Sequence, residues 1–583
     1  MKDEKILEKA RKDYQNALDS DADNRATSLR CSQFVDGKQW PEELKAQRER
    51  EKRPCLTINK LRKYVNQVAG DIQQHPISME VRPADSIADG AGAELRNDIL
   101  KYIEFISDAS EAYDTAVQQA LEGAFGYWRI TKRYCDETSF DQDIIITPVP
   151  NRFSVLLDPT GIKKNYEDAK YGFVISTMDK DEFLKEYPDK AMADFETPPG
   201  VDTGWYAGEN VTVAEYFWKE FKHSSAHELE NGLVIDGDTL EDMRESGEFP
   251  NIDQMIVQSR KVSTPHIKQV KMSYNSILEG PNDFPGEYIP IIKVIGYEHN
   301  DEGKRKFRSL GYDAMDSVRM LNYWKTYSTE MIALAPKVPY KLTPQQIEGH
   351  KRAWNAANIT PFPYLLYNPD PAAKAPMREP QVPIPAAAVN ESKMAADDIQ
   401  DSIGLYAPSL GEPSNERSGR AILLRQRQAS NTIFAFIKNF QNAVKFSSKV
   451  ILRMMPDIYD NHRIFKVFGE DEIKEIAINY KIKDPETLAE SVQNDLSKGK
   501  YDMIPTVGPN YATKRMETAA SMLDFLQFVP AAAPVIAPKL AKLMDWEGAQ
   551  TIGDEIGQLF GGANSQQQGS AKQTQPMPDN VTM

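Results

Sequence analysis

Apolar residues recurring every three and four positions mark the chain's strongest helix signal, between Arg420 and Met455. Ile422, Gln426, Ala429, Ile433, Ile437, Phe440, Val444, Ser447, Ile451 and Met455 fall on one face. Neither proline nor glycine interrupts these 36 residues, which at about 1.5 Å each span roughly 54 Å. A helix that long crosses a whole domain.

Elsewhere the pattern alternates between helix and strand. Residues 1–35 read as helix and lead into FVDGKQW, Phe34 to Trp40, where Gly37 marks a turn. Glu42 to Arg53 is a polar, charged run. Leu61, Tyr64, Val65 and Val68 then follow the candidate cap Asn59 at helical spacing, and Ile77, Met79 and Val81 alternate as a strand does. Ala91 to Leu121 reads as helical. From Gly126 onward strand patterns take over in YWRITKRY, DIIITPV, FSVLLDP and YGFVIS, and they return in HIKQVKMSY and YIPIIKVIGYEH. Residues 224–264 between them read as loop.

Ser309 to Ala335 is helical again, with Leu310, Ala314, Val318, Leu321, Trp324, Tyr327, Met331 and Leu334 in one stripe closed by Pro336. Residues 336–385 hold 11 of the chain's 37 prolines. They enclose one short helix signal at Thr343-Pro344-Gln345-Gln346, a cap followed by Pro and, three after the cap, Gln. Val389, Ala396, Ile399 and Ile403 then recur at helical spacing, and the loop APSLGEPSNERSG, Ala407 to Gly419, precedes the long helix. Beyond Pro456, FKVFG and IKEIAINYKI read as strands, 485–498 and 512–528 as helices, and Asn564 to Met583 as a polar, disordered tail. The fold class is α+β.

Composition narrows the function. The chain has 583 residues, which corresponds to about four domains by length, and a formal net charge of −16. That charge argues against a protein gripping nucleic acid over a broad surface, since such binding neutralises phosphates with Lys and Arg. Against this background the long helix stands out, with Arg420, Arg425, Arg427, Lys438, Lys445, Lys449 and Arg453 and not one Asp or Glu between them. Either this is a solvated face or it meets acidic neighbours or phosphate. Met1 to Asp13 lacks the apolar core of a signal peptide. The stretch 528–544 is broken by Pro530, Pro534 and Pro538, so no membrane insertion is expected. Cys31, Cys55 and Cys135 are far apart, which fits a reducing compartment and suggests neither zinc nor a disulfide framework.

Catalytic motifs are absent. The chain has no G-x-x-x-x-G-K-[ST], no G-x-G-x-x-G after a strand and no G-x-S-x-G. No cofactor, metal or catalytic residue is expected. His223 and His227 lack the H-E-x-x-H order and read as surface residues, and the pairs Asp181-Glu182 and Asp397-Asp398 and the run Glu470-Asp471-Glu472 read as solvated carboxylates. Asp158, followed by Pro159 and Gly161, is turn chemistry rather than a catalytic acid. Tyr323-Trp324 and Tyr364 to Tyr367 read as core or interface in preference to base-stacking platforms.

The ordered set F-x-x-G-x-Q-W, R-P-x-L-T-x-N-x-L and V-x-x-V-x-G-D-x-x-Q-x-P, within residues 34–76, resembles the opening of portal proteins of short-tailed double-stranded DNA bacteriophages. The resemblance continues through LLDPTGIKKNYEDAKYGFVI, EFLKEYP, VAEYFWKE and DMIPTVGPNYATKRMETAASM, from about residue 30 to about 525. It implies an N-terminal helical arm and wing over 1–125 and a β-rich wing body over 126–305. Stem helix 1 would occupy 306–337, a proline-rich clip 338–384, stem helix 2 385–405 and a channel loop 406–419. The long helix over 420–455, a crown over 456–545 and a polar tail over 546–583 complete the subunit. The family's additional C-terminal barrel would be absent or reduced.

The resemblance further implies a non-enzymatic ring, of twelve copies in that family's pattern, at one capsid vertex of the virion. Double-stranded DNA would pass through it in packaging and ejection. A separate large terminase ATPase would dock on the clip, tail adaptor proteins would replace it, coat and scaffolding proteins would contact the outer body, and assembly would take place in the host cytoplasm. The candidate DNA-contacting residues are Glu412, Asn415, Glu416 and Arg417 in the channel loop, with Arg420 opening the long helix. Lys393, Asp397 and Asp401 are the candidate channel-facing stem positions, and Arg425 and Arg427 the candidate subunit-interface positions. A metal-dependent nuclease and an unrelated cytosolic ring-forming scaffold are the alternatives.

Overall fold

The computed structural model of the chain describes residues 2–73, 77, 79–85, 88–189, 206, 207, 210–229, 234–246, 255–334, 338–379, 386–404, 419–468, 473–483 and 490–505, together with 522, 523, 525, 526, 528–543, 552, 553 and 555–557. Two units emerge: Met1–Gln73 with Met79–Ile504, and Gln74–Ser78 with Pro505–Met583. The second contributes the helix Ala533–Leu543. The first is a mixed α+β body.

Its helices are α1 (Lys2–Val35), α2 (Glu42–Arg50), α3 (Leu61–Gln73), α4 (Gly90–Ile106), α5 (Ala109–Gly123), α6 (Lys180–Glu186), α7 (Gly237–Ser246), α8 (Met315–Leu334), α9 (Lys351–Ala356), α10 (Ala386–Ile403) and α11 (Gly419–Ile458). The stretch expected as helical over 91–121 is two helices divided at Asp108, whose φ of 46° is left-handed. The long helix does not stop at Pro456 but closes one turn later. The Tyr459 N–H donates to the Met455 carbonyl (2.9 Å), and a proline in the last turn removes only one bond of the ladder.

The strands follow in chain order. They are β1 (Met79–Pro83), β2 (Phe125–Tyr134), β3 (Gln142–Pro148), β4 (Val155–Leu157), β5 (Tyr171–Asp179), β6 (Tyr206–Ala207), β7 (Asn210–Leu229), β8 (Val234–Asp236), β9 (Ile256–Met272) and β10 (Ile277–Phe284). After these come β11 (Ile291–Ile295), β12 (Tyr297–Asp301), β13 (Lys304–Arg308), β14 (Tyr340–Lys341), β15 (Met377–Arg378), β16 (Arg463–Phe468), β17 (Ile473–Ile478), β18 (Tyr480–Lys483), β19 (Glu490–Gln493) and β20 (Tyr501–Pro505).

The largest sheet has the order β10-β9-β7-β5-β4, with every pairing antiparallel. Its centre is covered on both faces. Ala10 and Ala17 of α1 pack with Phe173, Ala214, Tyr216, Trp218, Val270 and Met272. Phe183 and Tyr187 cover Val211, Val213 and Leu278 on the opposite face. That double cover explains why residues 211–218 form a nearly unbroken apolar run instead of an alternating one. A second sheet, β11-β2-β3, carries the long helix.

Two stretches form strands against expectation. Residues 224–264 are not simply loop: β7 and β9 pair from Ala214↔Met272 out to Leu229↔Ile256, beyond the end of β5. This outer ribbon has no buried stripe until its tip, where Leu229, Ile235 and Leu240 form a small cluster with α7, so the alternation that signals a strand is missing. Within 485–498 the described residues contain β19, paired with β18, where a helix was expected. Asn479 and Asn494 take left-handed φ of 48° and 54° at the strand ends, a conformation Asn tolerates well. In the clip-like segment, the Thr343 N–H donates to Gln346 Oε1 (3.0 Å) as the cap signal implied. Residues 344–350 form turns, however, and the helix starts only at Lys351. Of the run 512–528, only 522, 523, 525, 526 and 528 lie inside the described residues, and they are helical. The tail 564–583 lies outside them.

Candidate functional site

Helices α8 and α10 pack together, and the N-terminal motifs fold onto α8. Asn322, Thr326 and Glu330 lie four residues apart on one face. The Ile58 N–H donates to Asn322 Oδ1 (2.7 Å), and the Leu56 N–H to Thr326 Oγ1 (3.0 Å). Arg48 Nη2 and Arg53 Nε donate to Glu330 at 3.0 and 2.6 Å. Asn322 Nδ2 donates in turn to Gln39 Oε1 (2.6 Å). Gln39 donates to the Phe34 carbonyl and to Asn59 Oδ1, and Asn59 donates to the Val35 carbonyl. FVDGKQW and RPCLTIN are thus one hydrogen-bonded clasp around α8, with Gln39 and Asn322 buried. Sequence reasoning missed the role of Asn322, Thr326 and Glu330. Their four-residue spacing was the available signal, but on a helix it reads as an ordinary polar face.

Helix α10 buries Ala388, Ser392, Ala395, Ile399 and Ile403. Lys393, Asp397 and Asp401 recur every fourth residue on its exposed side, beside exposed Asp398. This face is net negative and is brought together as one stripe.

The long helix α11 buries Phe436, Phe440, Ala443, Val444, Phe446, Val450, Ile451, Met454 and Met455. Trp128 Nε1 on β2 donates to Ser447 Oγ (3.0 Å), and the Tyr113 hydroxyl donates to Glu104 Oε1 (3.1 Å) alongside. Burial pushes the Glu104 carboxyl above its ordinary range, against the opposing pull of the Tyr113 bond. Among the described residues, two of the helix's cations find acids within the chain: Lys449 lies 3.7 Å from Glu167 and Arg453 3.9 Å from Glu287. Arg420, Arg425 and Arg427 lie on the helix backbone, but their side chains are outside the described residues, as are Glu412, Asn415, Glu416 and Arg417 entirely.

Of the chemistry-bearing residues, Asp158 is buried and accepts bonds from the Thr160 and Lys170 N–H groups, a turn role. His227 sits in β7 between Ser225 Oγ and Ser259 Oγ, both at 2.6 Å. Tyr364 and Tyr367 are exposed, whereas Trp324 packs edge-on against Tyr323 and Tyr327. Among the described residues no group of three or more His, Cys, Asp or Glu gathers at metal-binding distance. No described helix is long and apolar enough to cross a membrane.

A family model described as "Phage P22-like portal protein" matches residues 11–582. A protein of Acyrthosiphon pisum secondary endosymbiont phage 1 named "Portal protein" is 25% identical over 538 residues, covering 86% of this chain and 73% of its own.

Proposed function

The chain belongs to the phage P22-like portal protein family, and on that premise we propose that identical copies close into a ring of twelve at one capsid vertex. The match across nearly the whole chain carries this reading, and it favours a portal over a nuclease or an unrelated scaffold. In the ring, α8 and α10 are the stem, residues 338–384 the clip, 406–419 the channel loop and 456–545 the crown. The ring forms in the host cytoplasm and becomes part of the virion.

Double-stranded DNA enters and leaves through the channel, which has to surround phosphate without holding it. Each neutralising contact adds affinity through counterion release, so a net negative wall permits sliding. The exposed acidic stripe of α10, with Asp397 and Asp401 beside Lys393, supports a place on that wall. Glu412, Asn415, Glu416 and Arg417, with Arg420, form the ring of weak, exchanging contacts around the duplex. Arg425 and Arg427 face acid on the next copy. The chain does no chemistry of its own. A terminase ATPase on the clip supplies the work, tail adaptors later take its place, and coat and scaffolding proteins meet the outer body.

Native mass spectrometry tests the ring: the expected species lies near twelve times 65.9 kDa, and a monomer or dimer at every salt concentration refutes it. Replacing Glu412 to Arg417 by Gly and Ser is expected to leave rings intact and impair DNA packaging. Normally filled heads would remove the loop from the mechanism. For Arg425→Glu with Arg427→Glu, weakened assembly is expected.

A further inference from the structure

The loop from Asp158 to Lys170 is fixed at many points. Buried Asp158 accepts from the N–H groups of Thr160 (2.9 Å) and Lys170 (3.0 Å) and from the Thr160 hydroxyl (2.7 Å). Asp168 accepts from the Ile162 and Lys163 N–H groups, at 2.6 and 3.2 Å. Arg305, from β13, donates to the Gly161 and Lys163 carbonyls at 2.9 and 3.3 Å, bonds Glu298 at 2.6 Å and lies over the Tyr166 ring. Despite this support the apex residue, Ile162, is 87% exposed. A single exposed apolar residue needs no explanation; one held at the tip of so heavily bonded a loop is presented to something.

The loop's outward charge is positive. The Lys163 and Lys164 side chains are 59% and 63% exposed, whereas their in-chain partners, Glu167 and Glu298, are 14% and 15% exposed. The same chain carries the complementary surface, a cleft of about 570 Å³ past the end of α11. Pro456, Tyr480 and Leu496 give it apolar walls, Asp460 and Asp495 line its rim, and no Lys or Arg lines it. Asp495 is engaged by Lys498 (3.4 Å), which leaves exposed Asp460 as the acid placed to meet a cation.

We infer that Ile162 of one copy seats in this cleft of the next, with Lys164 facing Asp460. The inference rests on the ring reading above. Within one chain Ile162 stays exposed, so knob and cleft do not satisfy each other in cis. A contact between two different patches of identical chains is head-to-tail, and it closes into a ring when the rotation allows. Copies of −16 repel one another overall, and a basic knob on an acidic cleft offsets that repulsion where the chains touch.

The test is disulfide trapping in the full-length chain carrying Ile162→Cys and Tyr480→Cys, with the unburied Cys55 and Cys135 changed to Ser. Oxidation is expected to give a covalent ladder of multimers that either single-cysteine chain fails to give. Native mass spectrometry of the reduced sample separates the possible failures. Rings without a ladder overturn this contact and leave the portal reading standing, whereas a protein monomeric throughout removes both. In a second measurement, Lys164→Glu and Asp460→Lys are each expected to raise the protein concentration for half-assembly about fivefold, the scale of one exposed ion pair, and the double variant to return it to within about twofold of the parent. Additive losses in the double variant overturn the pairing.

Discussion

Replacing Asn322 by Ala is the sharpest test of the clasp around α8. Asn322 is buried and both donates and accepts, giving a bond to Gln39 Oε1 and taking one from the Ile58 N–H. Truncation leaves a buried carboxamide oxygen without its donor and a half-buried N–H without its acceptor. Each unsatisfied group costs about 1–3 kcal/mol, so the clasp loses about 2–6 kcal/mol, and at 1.4 kcal/mol per factor of ten its local opening rises at least about 30-fold. In a chain of two units a single unfolding free energy is poorly defined, so native-state amide exchange is the suitable assay. Peptides covering residues 54–60 are expected to lose protection by that factor while peptides from β7 and β9 do not change. Thr326→Val removes only the acceptor of the Leu56 N–H, and its effect should be smaller and local to Leu56. Protection within about threefold of the parent in Asn322→Ala would show that the clasp is held by apolar packing and not by these bonds.

Three further outcomes follow from the same geometry. Burial raises the Glu104 carboxyl in the folded chain; a carboxyl whose folded pKa lies above its unfolded value destabilises the fold as pH climbs from the ordinary value through the raised one. Glu104→Gln, which can still accept from Tyr113, is therefore expected to raise Tm near pH 7 and to lose that advantage near pH 4, and an equal gain at both would contradict the assignment. Asp397→Lys with Asp401→Lys reverses the exposed stripe of α10; purified rings are expected to bind duplex DNA more tightly and with a steeper salt dependence, while unchanged affinity would take the stripe off the channel wall. Gly126→Ala would place a Cβ 2.1 Å from the Ala116 carbonyl oxygen, forcing α5 off β2 at a cost of about 3 kcal/mol or more. Loss of soluble protein is expected, and normal yield and Tm would disprove so close an approach.

How far the fold could be read from the sequence depended on how each element is buried. The long helix and helix α10 were legible because each lays a repeating apolar stripe on a neighbour, so that Phe440, Val444, Ile451, Ile399 and Ile403 carry the period. The outer half of the β7–β9 ribbon was not, because water bathes most of it and its side chains follow no alternation. Strand β19 was missed for a different reason: turns at Asn479 and Asn494, not apolar period, set its place. At the candidate site, the acidic face of α10 was readable from the spacing of Lys393, Asp397 and Asp401. The partners of Lys449 and Arg453 were not, since Glu167 and Glu287 lie more than a hundred residues away in sequence and reach the helix from loops.

The clasp also changes what the family motifs mean. Gln39, Arg53, Asn59 and their neighbours are polar, and polar residues in a recurring pattern invite a functional reading. In the folded chain these side chains and backbone groups reach Asn322 and Glu330 of α8 or one another, so F-x-x-G-x-Q-W and R-P-x-L-T-x-N specify how an N-terminal arm grips a helix. The motifs that carried the resemblance therefore speak for architecture. On the proposed reading, DNA handling resides in side chains that the packing leaves uncommitted, and exposed Asp397 and Asp401 can change sign without disturbing the core. On this argument the two kinds of substitution separate cleanly: changes in the clasp alter amide exchange at residues 54–60 and leave the salt dependence of DNA binding alone, whereas changes on the exposed face of α10 do the reverse.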